Sequence, residues 1–362
     1  MKKSLLALAV LSAFASAASA QSSVTLSGGL DAGVIRKGTA TGNDWSMGGS
    51  GSAFNAFTLS GREDLGGGMF AFFTMNHRFN INRGTINSTD YGTGTGGASN
   101  PTFWRNIFVG LGGGFGDVRL GRMLMPLQEK NGAYDPWNGG YTVASTHTGG
   151  ISATIRANNA IYYRSPNLGG LSVHAAIAAG EGQLQAETAN NYGSQAPAPS
   201  NPGGFGQRPL GFAVNYDAGP LSATVAYDRN YADYKTTGLY AKYNFGFMVL
   251  NFQHENGDGT NGGSALTKEK IKATSISADI PLGAIVGKVG YLRYDSDKNT
   301  CNGTGASNVG TKACDASKFG LGAEYLLSKR TKLYSDVSKA SGDRLSAASK
   351  KGQFDIGVRH AF

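Results

Sequence analysis

The sequence predicts an all-β protein: a transmembrane antiparallel barrel of about sixteen strands whose third long loop folds inward. Three observations carry that expectation. Apolar and polar residues alternate with a period of two through run after run. The connections between the runs alternate between short turns and long polar loops. The composition is rich in glycine (55 of 362) and in Tyr (16) and Phe (18), with only 16% charged residues. That balance argues against a helical protein and against disorder.

The chain opens MKKSLLALAVLSAFASAASA. Lys2 and Lys3 precede an apolar run from Leu5 to Ala15, and Ala18-Ser19-Ala20 has the small residues of a cleavage site. Residues 1–20 are expected to be a secretory signal peptide, too short for a membrane helix. Residues 21–362 are expected to form a single barrel domain with a net charge of +7, which is +9 less Lys2 and Lys3. The basic residues are scattered rather than clustered, which speaks against nucleic acid as a partner. No later stretch carries 18 consecutive apolar residues, so no membrane helix is predicted.

The strand signal begins with Val24, Leu26, Leu30, Ala32 and Val34, set against Thr25, Ser27, Gly29, Asp31 and Gly33. It recurs in Leu221, Ala223, Val225 and Tyr227, and again in Leu239, Ala241, Tyr243 and Phe245. Each run is roughly 8–14 residues, enough to cross a bilayer when tilted. No helical stripe interrupts the series. Short Gly, Pro, Asn and Asp turns lie around 63–67, 113–116, 165–169, 217–220, 244–246, 281–283 and 327–330. Long polar connections are read at 81–101, 123–155, 181–207, 255–267 and 296–316. A soluble β-sandwich does not segregate its loops by length in this way, whereas an outer-membrane barrel does. Closure leaves no strand edge and satisfies every backbone group in lipid. The last strand alternates Phe354, Ile356, Val358, His360 and Phe362 with Asp355, Gly357, Arg359 and Ala361. It is expected to close against the first, with Phe362 at the membrane interface, where aromatic residues belong.

Several weaker signals are set aside. Gly92, Gly94 and Gly97 match a dinucleotide fingerprint without its strand and helix. Glu255 to Ser264 lacks the spaced acidic set of a calcium loop. The five histidines (77, 147, 174, 254, 360) are dispersed and no G-x-S-x-G elbow accompanies them, so an enzyme is not expected. No cofactor or metal is expected. Cys301 and Cys314 form an even pair in an exported chain, which favours a disulfide stiffening an outer loop by about 3 kcal/mol.

The stretches QSSVTLSGGLDAGV, GREDLGGGMFAFF, GGFGDVRLGR, IRANNAIYYRSPNLGG, NYDAGPLSA, YNFG, LSKRTKLYSDV and the terminal GVRHAF span the mature chain in order. Together they resemble the sixteen-stranded trimeric porins of Gram-negative outer membranes, in particular the anion-favouring β-proteobacterial branch. The resemblance implies a homotrimer among lipid and lipopolysaccharide. Each subunit would hold a water-filled pore passing small anionic or neutral solutes passively, and Phe362 would serve as the C-terminal assembly signal. The 33-residue stretch 123–155 stands at the family's constriction loop. It carries Glu129 and, in AYDPW, Asp135.

Arginines are expected to supply the opposite side of the constriction. By parity Arg119 faces inward against Val118 and Leu120, Arg62 follows Thr58 and Ser60, and Arg156 shares parity with Ala160 and Tyr162. Alternation puts Arg105 with Ile107 and Val109 on the lipid side, where an arginine costs about 2–4 kcal/mol. A bulge over Trp104–Asn106 is therefore expected to turn it inward, as the family match implies. Arg122, at its strand's end, is expected to turn into the lumen. Ala56 stands where relatives often carry arginine, and Asn76 and Arg78 where they carry acids. Rings of arginine favour anions. The alternatives are a substrate-specific channel, with saturating flux, and an adhesin or structural barrel with no open water path.

Overall fold

The computed structural model describes residues 23–38, 42–49, 54–86, 103–139, 142–148, 151, 156–178, 208–230, 233–260, 268–297, 315–342, 350 and 352–362. Among these residues, eighteen strand segments make one antiparallel sheet. They are β1 (Ser23–Gly38), β2 (Asn43–Gly49), β3 (Ala56–Gly66), β4 (Met69–Asn80), β5 (Thr85–Ile86), β6 (Asn106–Gly113), β7 (Gly116–Leu124), β8 (Arg156–Arg164) and β9 (Leu171–Ala178) in the first half. The second half holds β10 (Leu210–Ala218), β11 (Leu221–Arg229), β12 (Lys235–Asn244), β13 (Val249–Thr260), β14 (Lys268–Leu282), β15 (Ile285–Ser296), β16 (Ala316–Leu326), β17 (Thr331–Ser341) and β18 (Gln353–Ala361). β5 is a two-residue tag on β4, and β2 and β3 lie end to end against β1. The barrel therefore has 18 − 2 = 16 staves.

Each stave pairs with its sequence neighbours, and β18 returns to β1 from Gly29↔Ala361 to Arg36↔Phe354. The ring closes without a free edge, the condition for a sheet in hydrocarbon. Beyond the last pair, Gly28 and Phe362 exchange backbone hydrogen bonds at 2.9 and 3.0 Å, so the terminal residue is held in the seam.

The period of two is realised as two surfaces. Val109, Leu120, Ile161, Val225 and Ile276 point outward and are half exposed, forming an apolar belt that requires lipid as its solvent. Their neighbours Gly110, Arg119, Tyr162, Thr224 and Ser275 turn inward, in register across the pairs.

Two expected boundaries are corrected, and one feature has no counterpart in the sequence reading: the second stave is broken. Between Gly29↔Ala56 and Ala32↔Gly49 it advances seven residues against three on β1, so four extra residues leave the ladder. Asn55 fills the gap: its side chain accepts from Asp31 N (2.6 Å) and donates to Asp31 O (3.0 Å), replacing the missing strand backbone. The connection read at 123–155 begins later, because Met123 and Leu124 belong to β7. It also carries a short helix, α1 (Pro126–Asn131), followed by a 3₁₀ turn (Gly132–Tyr134). The stretch read as loop from Glu255 is strand as far as Thr260. Residues 1–22, Cys301 and Cys314 lie outside the described residues.

Candidate functional site

The described residues from α1 to Thr148 lie inside the barrel, against the inner face of the second-half staves. Leu127 N donates to Asp228 Oδ1 (3.4 Å), Trp137 Nε1 to Asp336 Oδ1 (2.7 Å) and Val143 N to Asp355 Oδ2 (3.0 Å). Thr148 donates to Gln253 (2.8 and 3.1 Å) and to Glu255 (2.9 Å). Tyr134 stacks on Tyr240, with centroids 5.5 Å apart, and shares a 2.8 Å hydrogen bond with Thr224. Lys288 Nζ donates to Pro136 O (2.6 Å). Glycine makes room for this packing: a Cβ at Gly320 would overlap the Ala144 carbonyl oxygen, and one at Gly322 would fall 2.9 Å from Trp137 Nε1.

These contacts redistribute the charge. Asp228, Glu255, Asp336 and Asp355 are all at most 3% exposed. Asp336 and Asp355 stand directly opposite each other on β17 and β18. The inward segment thus covers the acidic side of the lumen.

The first-half staves carry the arginines. Arg119 Nε bonds Asp117 Oδ1 (2.7 Å) and Arg164 Nε bonds Asp117 Oδ2 (2.8 Å), so one carboxylate serves two guanidiniums and one positive charge is left over. Arg62, inward by its register with Phe72, lies over the Phe70 ring at 3.4 Å. Arg78, Arg105, Arg122 and Arg156 gather at one end of four neighbouring staves, β4, β6, β7 and β8. Arg78 stacks on Phe54, and Arg105 Cζ is 4.6 Å from the same ring. Arg156 Nε donates to Asn106 Oδ1 (2.8 Å), and Arg122 bonds Asn158.

Local irregularity decides where these side chains go. Arg105 N donates to Asn76 O (2.8 Å), and Asn76 is already registered with Asn106. Two residues therefore oppose one, and the alternation slips by one at Arg105. A second irregularity separates Gly121↔Ala160 from Met123↔Ala157. Asn159 is left-handed there (φ 50°), and Gly121 (φ 144°) faces the Ile107 carbonyl, where a Cβ would not fit. This shift separates Arg156 from the parity of Ala160 and Tyr162, so simple alternation does not place Arg156; its bond to inward-facing Asn106 does.

Of the two loop acids, Asp135 is 5% exposed and structural: its Oδ2 accepts from Gly139 N (3.0 Å) and Ser145 Oγ (2.7 Å). Glu129 accepts from Tyr162 OH and lies 3.5 Å from His174 Nδ1, which itself is 2.7 Å from the Tyr162 hydroxyl. Burial pushes the Glu129 carboxyl up, but hydrogen bonds from His174 and Tyr162 and the charges of His174 and Arg119 outweigh it and hold the group at about 2. A carboxyl lowered in this way is ionised at neutral pH. Its contribution is present above its ordinary value of 4.5 and is lost as pH falls through about 2. The conductance ratio of wild type to Glu129→Gln should therefore stay constant from about pH 7 to about pH 4.5. A titration of that ratio within the interval would contradict the assignment.

Sequence reasoning missed the wall residues Asp228, Glu255, Asp336, Asp355, Tyr162 and His174. Their only signal was a polar or aromatic side chain on the inward parity of a strand.

Comparison with known proteins agrees with this architecture. The chain is 33% identical over 398 residues to outer membrane porin protein 32 of Delftia acidovorans, covering all of both chains. It is 27% identical to an outer membrane porin protein of Bordetella pertussis, again over the whole of both. The anion-selective porin from Comamonas acidovorans superposes with a TM-score of 0.69 at 27% identity, covering 94% of this chain and 100% of that one. A trimer form of Vibrio cholerae OmpT shares the fold (TM-score 0.63, 12% identity) over 94% and 99% of the two chains. The family model for Gram-negative porins matches residues 7–345. With a closed sixteen-stave barrel, a polar interior and full-length relatives that are channels rather than enzymes, the chain belongs to the Gram-negative porin family and is a diffusion channel of the outer membrane.

Proposed function

We propose that this channel passes small hydrophilic solutes and favours anions, with its constriction formed between the inward loop after β7 and the arginine-bearing wall. The observation that carries the reading is the asymmetry of the lumen. The acids Asp228, Glu255, Asp336 and Asp355 lie beneath the loop. Arg62, Arg78, Arg105, Arg119, Arg122 and Arg156 lie on or beside β3, β4, β6, β7 and β8, away from the loop's bonds to those acids, and even the buried Arg78, Arg105, Arg122 and Arg156 keep 8–9% exposure against at most 3% for the acids. Asp135 is committed to holding the loop's shape, and Glu129 is the loop carboxylate left beside the arginines. A low-dielectric wall focuses the remaining positive field into the water path.

The reading includes a homotrimer, removal of residues 1–20 on export, a Cys301–Cys314 disulfide and Phe362 as the assembly signal. The similarity to an anion-selective porin and to a barrel known in trimer form supports the first of these and the ion preference. The test combines two measurements on purified protein. Without boiling, it should migrate on a denaturing gel near three times its monomer mass, and it should form channels whose current rises linearly with solute concentration. Saturating flux would point to a substrate-specific channel, and a folded barrel with no conductance would point to a structural or adhesive role.

A further inference from the structure

A second polar site lies away from the arginines, between the inward loop and the short-turn ends of β10 to β14. The cavity there has a volume of about 460 Å³, within the range of small-molecule sites. Its floor is the inner face of the barrel, where Ser222, Lys242 and Asn251 are directly in register across three staves. Asp279, on the next stave, accepts from Asn251 Nδ2 at 3.3 Å. The loop supplies the roof with Asp135 and Asn138.

Two of these groups are incompletely satisfied. Asp135 is 5% exposed; its Oδ2 is taken by two donors, but its Oδ1 has no hydrogen-bond partner. The Lys242 ammonium, 5.7 Å from the Tyr134 ring centroid, has no hydrogen-bond or ion-pair partner among the described residues. A buried carboxylate oxygen without a partner is costly, and a cation donating to it removes that cost. The cavity's own lining thus offers one cation, Lys242, and two anions, Asp135 and Asp279; Lys288, directly in register with Asp279, is already engaged with Glu324 and the Pro136 carbonyl. Lys242 and Asp279 are two staves apart and two residues out of register, a backbone separation of about 12 Å that long side chains narrow.

We infer that this cavity is a binding site for an α-amino acid, whose carboxylate pairs with Lys242 and whose ammonium pairs with Asp135 and Asp279. The two acids against one base further favour a side chain that is itself cationic. A bare anion would meet the two carboxylates, and a neutral sugar would leave the charges unpaired. The inference rests on the channel reading for its access route and adds a solute class to it. Transit would include a stop at the short-turn side of the loop, beyond the arginines.

The experiment measures block of the ion current through single channels in planar bilayers. L-Lysine is compared with butylamine, acetate and glucose at equal concentration. L-Lysine should interrupt the current in a concentration-dependent way, and the other three should not. In Lys242→Met and in Asp279→Asn the half-blocking concentration should rise about tenfold, the loss of one charge-assisted hydrogen bond, and Lys242→Arg should restore it. Heat-modifiable gel migration checks that each variant is a folded barrel. Equal block by glucose, or L-lysine block unaffected by both variants, overturns the site. An open channel that L-lysine never interrupts also overturns it and leaves the channel reading standing. Absence of any conductance overturns the channel reading instead; equilibrium binding of labelled L-lysine to the detergent-solubilised barrel then decides the site alone.

Discussion

Trp137→Ala should raise the single-channel conductance and lower the anion preference together. The Trp137 indole is almost fully buried between the inward loop and the wall, and its N–H donates to Asp336 at 2.7 Å. Truncating a buried tryptophan costs about 3–5 kcal/mol. That loss falls on the loop's attachment, because the barrel ladder itself does not pass through residue 137. A loop that leaves the wall widens the water path and uncovers Asp336 and Asp355, which face one another across β17 and β18. Newly hydrated carboxylates attract cations, so both readouts move for one cause. Asp336→Asn keeps an acceptor for the indole while removing the ionisable group. Alone it should leave conductance near wild type, and combined with Trp137→Ala it should return part of the lost anion preference. Single-channel recording with a salt gradient reads both quantities. If Trp137→Ala left conductance and selectivity unchanged, the loop would not depend on this contact.

The second large effect concerns the arginines. Replacing Arg105 and Arg156 together by Ala removes two of four positive charges clustered on β4, β6, β7 and β8. One unit charge about 10 Å from a permeating ion in water contributes about 0.4 kcal/mol, so two contribute about 0.8 kcal/mol, or about a fourfold change in local anion concentration at low salt. The zero-current potential should move toward zero, and the shift should shrink as salt rises. Arg105→Lys separates charge from packing: it retains the charge but loses the planar contact with Phe54. It should preserve most of the selectivity. A double alanine variant with wild-type selectivity at low salt would remove these two residues from the account.

The barrel was legible because lipid and water impose opposite demands on adjacent residues. Val225 must be apolar and Thr224 need not be, and this repeats along every stave. Closure was legible from the terminal strand, whose parity matches β1. The irregularities were not. The four extra residues between β2 and β3 lie in a Gly- and Ser-rich stretch that gives no periodicity to follow. The helix α1 has six residues, too few for a helical stripe to register, and its Pro126 reads equally well as a loop residue.

The arginines show the limit most clearly. Arg119 and Arg62 sit within regular ladder, and counting alternation places them inward. Arg105 and Arg156 sit at strand ends, where one extra residue resets the parity, and the sequence marks such a reset only indirectly. The high glycine content points to turns and strands. Part of it serves the loop, because Gly320 and Gly322 leave the floor on which Ala144 and Trp137 rest. Partners 199 and 212 residues apart leave no local pattern, and the burial of Asp336 and Asp355 was invisible for the same reason.

The measurement that tests the central claim most directly is the zero-current potential of the wild-type channel in a planar bilayer under a KCl gradient. The loop-covered acids and the arginine-bearing wall opposite them predict a sign showing chloride preference, with ohmic conductance. A sign showing potassium preference would mean that the carboxylates, led by Glu129, govern the narrow point and that the arginine wall does not.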